Sequence, residues 1–177
     1  MKKENLTEKN IYVDTLPNLS KVNNLELGKR LQEEYDNFII SPSNTYEDVD
    51  IPFLKEVKWI SDYIEHKFLC YYGEDIYLTD HYINIQRPNH MSFKRNNIKL
   101  NDLRNSADYT ALYVIDGSGN LYLEYDDNVK KQQTFVNYIK EKSIAMFNSD
   151  IQYFIDRNKT NYNRIILTFL YKKNKWN

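Results

Sequence analysis

Ser143-Ile144-Ala145-Met146-Phe147-Asn148-Ser149-Asp150-Ile151-Gln152-Tyr153-Phe154-Ile155-Asp156-Arg157-Asn158, closed by Arg164-Ile165-Ile166-Leu167-Thr168-Phe169, is the stretch around which the rest of the chain is read. Short apolar segments are broken by Asn148-Ser149-Asp150 and Asp156-Arg157-Asn158, polar clusters of the kind that mark turns. The pattern predicts three short strands, the last carrying one arginine among apolar residues. That arginine needs a partner, because an unpaired buried charge is costly. Asp150, Asp156 and Glu124 are the candidates within the chain. A carboxylate from outside is the functional alternative.

Working towards the N-terminus, the period stays at two. Ile76-Tyr77-Leu78, Tyr82-Ile83-Asn84-Ile85-Gln86, Met91-Ser92-Phe93, Tyr109–Asp116, Leu121-Tyr122-Leu123-Glu124-Tyr125 and 134–139 all read as strands. Asp116-Gly117-Ser118-Gly119-Asn120 reads as the turn of a hairpin between two of them. Ahead of these the period is helical. Phe53, Val57, Ile60, Ile64 and Phe68 form one apolar stripe, with Pro52 in the first turn and Gly73 as terminator. Cys70 is assigned to the apolar side of this helix as a core thiol, and His66 to its solvated side. An earlier helix starts at Asn23 or Asn24 and carries Leu27, Leu31, Tyr35 and Phe38. Residues 1–23 read as an arm that packs on the domain or on a neighbour. Residues 24–172 form a single domain with two N-terminal helices, and 173–177 a basic tail.

Composition narrows the function classes. With 177 residues, 41% hydrophobic and 28% charged, one folded soluble domain is expected. A net charge of −1 provides no field for nucleic acid, and none is expected as a partner. Apolar runs fall short of the roughly 18 residues a membrane span needs, so no membrane is expected either. The single cysteine excludes an intramolecular disulfide and a cysteine metal cluster. The sixteen tyrosines suit half-buried strands, where an apolar ring ends in a polar tip. Asp126-Asp127 and Asp150 are acidic points that suit turns at least as well as a hard cation.

From 59 to 169 the order of elements resembles the Fe(II)/2-oxoglutarate-dependent oxygenases, in particular their prolyl-hydroxylase-like branch. The resemblance rests on the strand and turn at Tyr82-Ile83-Asn84-Ile85-Gln86-Arg87-Pro88-Asn89, the paired strands at 109–126 and the opening stretch. It implies an α+β, mainly β fold: a double-stranded β-helix, or jelly roll, with N-terminal helices packed on one sheet. It also implies that Arg164 is the carboxylate clamp for the cosubstrate.

The family's metal is held by two histidines and a carboxylate. By the resemblance, the first motif falls at Lys94-Arg95-Asn96, or less well at Asp102-Leu103-Arg104. The distal histidine falls at Tyr153 or Gln152. The positions Lys94, Asn96 and Tyr153 thus look degenerate; His81, His90 and Asp80 are the alternatives for a displaced metal site.

The expectation drawn from this is a non-catalytic jelly roll, a pseudoenzyme with a structural or protein-binding role and no cofactor. Its partner would be another protein or further copies of itself. Richness in Asn, Ile, Lys and Tyr suggests an AT-rich coding sequence, hence a phage or viral structural component, cytoplasmic or in a virion. The alternative is a divergent Fe(II)/2-oxoglutarate-dependent dioxygenase, a hydroxylase using both cofactors. A second alternative is a metal-free module that binds a small carboxylate.

Overall fold

The computed structural model of the protein describes residues 2–6, 9–17, 22–38, 46–51, 54–125 and 133–174. Pro52, Phe53, Asp126 and Asp127 lie outside them, as do the side chains of Tyr35 and Phe38. In chain order the elements are β1 (Lys2–Leu6), β2 (Lys9–Thr15), α1 (Asn24–Phe38), β3 (Tyr46–Asp50), α2 (Lys55–Tyr72) and β4 (Ile76–Gln86). They continue with β5 (Tyr109–Asp116), β6 (Ser118–Glu124), β7 (Thr134–Lys140), β8 (Ser143–Asn148), β9 (Gln152–Ile155) and β10 (Arg164–Lys173).

Two antiparallel sheets form the jelly roll. The major sheet runs β1-β2-β8-β5-β10-β4-β3 and the minor sheet β7-β6-β9. The opening stretch of sequence crosses between them, with β8 in the major sheet, β9 in the minor and β10 in the major again. The residues after Asp116 do not form a hairpin turn. β5 and β6 belong to different sheets, and Gly117, at φ 88°, carries the chain round the corner in a conformation that favours glycine. Residues 91–93 form no strand, although the backbone beyond them bonds to β9 through an isolated Arg95–Tyr153 bridge. The N-terminal segment read as an arm enters the major sheet. β2 pairs with β8, and Ile11, Tyr12 and Leu16 are buried. Lys173 is the last residue of β10, so the basic tail begins one residue later than expected.

Alternation along β10 sorts the two cores. Ile165, Leu167, Phe169 and Tyr171 face the helices, in a cluster with Leu27 and Leu31 of α1 and Val57, Ile60, Ile64 and Phe68 of α2. Ile166 faces the space between the sheets with Leu112, Val114, Leu121, Leu123, Phe147 and Ile155. Burying each side chain of the α2 stripe stabilises the fold by about 1.5–3 kcal/mol. α2 ends where Gly73 adopts φ 67° and returns its N–H to Leu69 O. α1 is capped by Asn23, whose Oδ1 accepts from Glu26 N–H at 3.4 Å. Cys70 is exposed, against the core assignment. It follows Phe68 by two positions, about 200° round the helix, and so leaves the buried stripe. It lies 3.5 Å from Nε2 of the exposed His66. No helix among the described residues is long and apolar enough to cross a membrane.

The buried tyrosines end on polar partners. Tyr113 donates to Asn24 Oδ1 at 2.6 Å, Tyr109 to Glu74 Oε2 at 2.6 Å, and the Tyr171 hydroxyl lies 3.1 Å from Ser61 Oγ. Burial raises the pKa of all three phenols, and pushes Tyr12 up to about 12. A phenol whose folded pKa exceeds its unfolded value contributes stability that is intact below about pH 10 and is lost as the pH climbs through the folded value. Alkaline titration should therefore unfold the protein between pH 10 and about 12. Tyrosinate absorbance from the buried rings should rise together with the loss of near-ultraviolet circular dichroism, not before it. In denaturant titrations Ile64→Ala should cost about 2–5 kcal/mol, and Leu69→Ala, on the exposed side of the same helix, within about 0.5 kcal/mol.

Candidate functional site

The inner face of β4 is polar. Tyr82, Asn84 and Gln86 alternate with the helix-facing Ile83 and Ile85, and the β4–β10 register sets them beside Thr168, Ile166 and Arg164. Two polar assemblies follow, one at the Arg164–Gln86 end of this strand pair and one towards its middle.

The first is centred on Arg164, whose side chain is 1% exposed. Its Nη1 donates to Gln86 Oε1 at 2.7 Å and to Asp156 O at 2.8 Å, and Nη2 to Asp156 Oδ1 at 3.4 Å. Asp156 also accepts from the backbone N–H and Nδ2 of Asn120, at 3.1 and 3.0 Å. Burial pulls the Arg164 pKa down and the Asp156 carboxylate opposes that fall. A guanidinium nevertheless stays charged in a protein. Among the partners weighed within the chain, Asp156 is the one that pairs. Arg164 Nε and Gln86 Nε2 are buried donors without a partner among the described residues. The guanidinium lies over Gly119, where a Cβ would come within 2.5 Å of Nη2 and 2.6 Å of Asp156 Oδ1.

The second assembly contains Tyr153, one of the positions at which the resemblance places metal ligands. Lys94 and Asn96 are exposed, and Lys94 pairs with Glu124. The bridge between Arg95 and Tyr153 fixes the register one residue further on, so the side chains that reach Tyr153 are those of Arg95 and Asn97. Arg95 Nε donates to Tyr153 Oη at 3.1 Å and Asn97 Nδ2 to the same oxygen at 3.3 Å. Arg95 Nη2 donates to Asn84 Oδ1 at 2.8 Å, and Asn84 Nδ2 to Thr168 Oγ1 at 2.9 Å. Asn97 Oδ1 accepts from the Tyr82 hydroxyl at 2.9 Å. The Arg95 guanidinium lies 5.5 and 5.6 Å from the ring centroids of Tyr82 and Tyr153. Both contacts to the Tyr153 oxygen donate into it, which leaves the phenol's own proton for a further acceptor. Beside Asn97 opens a cleft of about 260 Å³, lined also by Thr79, Leu170, Lys99 and Lys172.

These side chains do not fit Fe(II). Arg95 has donors only and carries a positive charge, and the Asn97 amide oxygen is already engaged with Tyr82. The alternatives are not assembled either. His81 pairs with Phe169 in mid-strand, with Asp80 beside it, whereas His90 lies past the end of β4, where its C=O accepts from Asn158 N–H. Among the described residues no three His, Cys, Asp or Glu side chains converge as a metal cluster. Arg95 and Asn97 were not singled out from the sequence. The alternation of Tyr82, Asn84 and Gln86 with isoleucines was the available signal, since a polar inner face on one strand calls for polar partners opposite.

Breaking the Arg164 pair should leave a buried charge uncompensated. Asp156→Ala is expected to destabilise the protein by about 3 kcal/mol in chemical denaturation. Gly119→Ala, which forces guanidinium and carboxylate apart, should cost about 1–3 kcal/mol.

No protein-family model matches the sequence, and no curated protein is similar to it. Solved structures are similar in fold. HygX from Streptomyces hygroscopicus, with nickel and 2-oxoglutarate bound, superposes with a TM-score of 0.64 at 12% identity over 94% of this chain and 83% of its own. A prolyl-4-hydroxylase from Pseudomonas putida gives 0.64 at 13% identity over 96% of both chains. The prolyl hydroxylase of Trichoplax adhaerens, in complex with a hypoxia-inducible-factor peptide fragment, gives 0.64 at 12% over 92% and 83%. These neighbours overturn the expectation of a non-catalytic phage or virion component, and with it the expectation of no cofactor. Two are named as prolyl hydroxylases and one holds nickel and 2-oxoglutarate, and the divergent-oxygenase alternative fits them better. The chain has the fold of the Fe(II)/2-oxoglutarate oxygenase superfamily, in the form of its prolyl-hydroxylase-like branch.

Proposed function

We propose that the protein is a divergent 2-oxoglutarate-dependent oxygenase of the hydroxylase type, with its carboxylate-binding site in the cleft beside the Arg95–Asn97–Tyr153 assembly. The observation that carries this reading is the polar interior. Buried polar groups are costly to assemble, and a jelly roll kept only as a scaffold gains more from apolar side chains there. Here Asn84, Thr110, Ser149, Tyr153 and Thr168 are all buried at one end of the roll, around a guanidinium. The cleft beside Asn97 is lined by Lys99 and Lys172 against one carboxylate, Asp80, and the excess positive charge suits a ligand with a carboxylate. Asn97, which lines the cleft and donates to the Tyr153 oxygen, would link such a ligand to the Arg95 guanidinium through that phenol. If Fe(II) takes part, its donors differ from the family's triad. The working compartment is the cytoplasm, where the exposed Cys70 would stay reduced.

The test is to add Fe(II) and 2-oxoglutarate, together and singly, to the protein without oxygen. Visible charge-transfer absorption with a rise in Tm, followed by succinate release on admitting oxygen, supports the reading. Loss of both signals in Tyr153→Phe would locate the site, provided the variant's circular dichroism is unchanged. A Tm rise with 2-oxoglutarate alone, indifferent to metal, would replace this reading with the metal-free carboxylate-binding module. No absorption, no stabilisation and no succinate would overturn it.

A further inference from the structure

β7 is the outer strand of the minor sheet and, among the described residues, is hydrogen-bonded into it through β6 alone. The ladder shows which of its backbone groups face outwards. Tyr125 N–H donates to Gln133 O at 3.3 Å, which makes that couple a hydrogen-bonded pair. Along the antiparallel register, hydrogen-bonded and non-hydrogen-bonded pairs alternate, so the N–H and C=O of Val136 and Tyr138 turn away from β6. The Lys140 N–H, next in the outward series, is taken by Ser143 Oγ at 3.1 Å, as the alternation requires. The side chains of Val136 and Tyr138 are 46% and 60% exposed. Asn137, between them, faces the opposite way, and its Nδ2 is buried without a partner among the described residues.

We propose that β7 pairs with β7 of a second copy of this chain, antiparallel about a two-fold axis at Asn137. That register sets Val136 opposite the partner's Tyr138, and Asn137 opposite itself. The outward N–H and C=O groups of Val136 and Tyr138 exchange hydrogen bonds with their counterparts. The Asn137 couple then falls at a non-hydrogen-bonded position, where side chains approach most closely. The two Asn137 side chains then lie next to each other on the inner face.

The pattern selects a copy over a foreign strand. The register is self-complementary: the outward groups of Val136 and Tyr138 are each other's counterparts about the axis. Charge agrees: Lys140, the one charged residue of β7, falls opposite Thr134, which Glu124 flanks on β6. No like charges are opposed. The two minor sheets become one of six strands, and the exposed Val136 and Tyr138 join the Tyr122–Phe154 stack, centroids 4.6 Å apart, in a continuous outer strip.

Sedimentation equilibrium of the full chain over a wide concentration range tests this. A dimer is expected for the natural sequence. Val136→Pro removes an outward N–H and leaves the β6 ladder intact, a change that edge strands tolerate. It should give a monomer with unchanged circular dichroism. Asn137→Asp sets two carboxylates face to face and should weaken the dimer about tenfold or more at pH 7, with recovery below about pH 4 as they protonate. A monomer at every concentration, or a dimer indifferent to both substitutions, would overturn the proposal.

Discussion

A single buried cation ties the two sheets together. Arg164 starts β10 in the major sheet, yet its guanidinium lies over Gly119 of the minor sheet and takes its counter-charge from Asp156, just past β9. Gln86 of β4 completes the set. Removing such a charge from water costs several kcal/mol, and that cost is met only while all of these elements stay in place. The pair therefore acts less as a source of stability than as a condition on geometry. It fixes the corner at Gly117, the close approach at Gly119 and the turn that returns the chain from β9 to β10. Asn120 extends it by holding both Asp156 oxygens from the strand that passes beneath.

The apolar half of this architecture was legible in the sequence. Ile and Phe alternation located the strands of the opening stretch, and the α2 stripe located the helix layer, because burial enforces a period that composition cannot hide. Arg164 stood out for the same reason, as a charge in an apolar strand. What could not be read was sheet membership. Gly117-Ser118-Gly119 looks like a hairpin turn, since a glycine-rich break reverses a chain equally well within one sheet or between two. Cys70 was misplaced because its position relative to the stripe depends on the helical angle, and two residues past Phe68 suffice to bring it to the surface. Lys94 and Asn96 point outwards while Arg95 and Asn97 reach Tyr153, one residue from the positions named in the sequence. Strand alternation makes that small error total, turning every inward side chain outward. Only the backbone bridge between Arg95 and Tyr153 settles which parity holds.

Fold and chemistry separate at this site. The fold matches that of oxygenases over nearly the whole chain, while the side chains that meet at Tyr153 are an arginine and an amide. Function on a widely used scaffold is decided by the groups grafted onto it. Here those groups form a hydrogen-bonded set in which nearly every donor and acceptor is matched, linking Asn84, Arg95, Asn97, Thr110, Ser149, Tyr153 and Thr168. Matched networks of this kind hold their side chains rigidly in position.

The alternation of β8, β9 and β10 between sheets also bears on how the molecule assembles. Strands that follow one another in the chain are not partners in a sheet. β10 instead pairs with β4 and β5, and β8 with β5 and β2. β4 precedes β10 by the length of nearly half the chain, so the loop entropy of that closure is lost before the ladder compensates for it. Local contacts cannot build the roll piece by piece, and non-local β topologies of this type fold in milliseconds to seconds. Arg164 takes its carboxylate from Asp156, eight residues earlier, but reaches Gln86 only once β4 has joined β10.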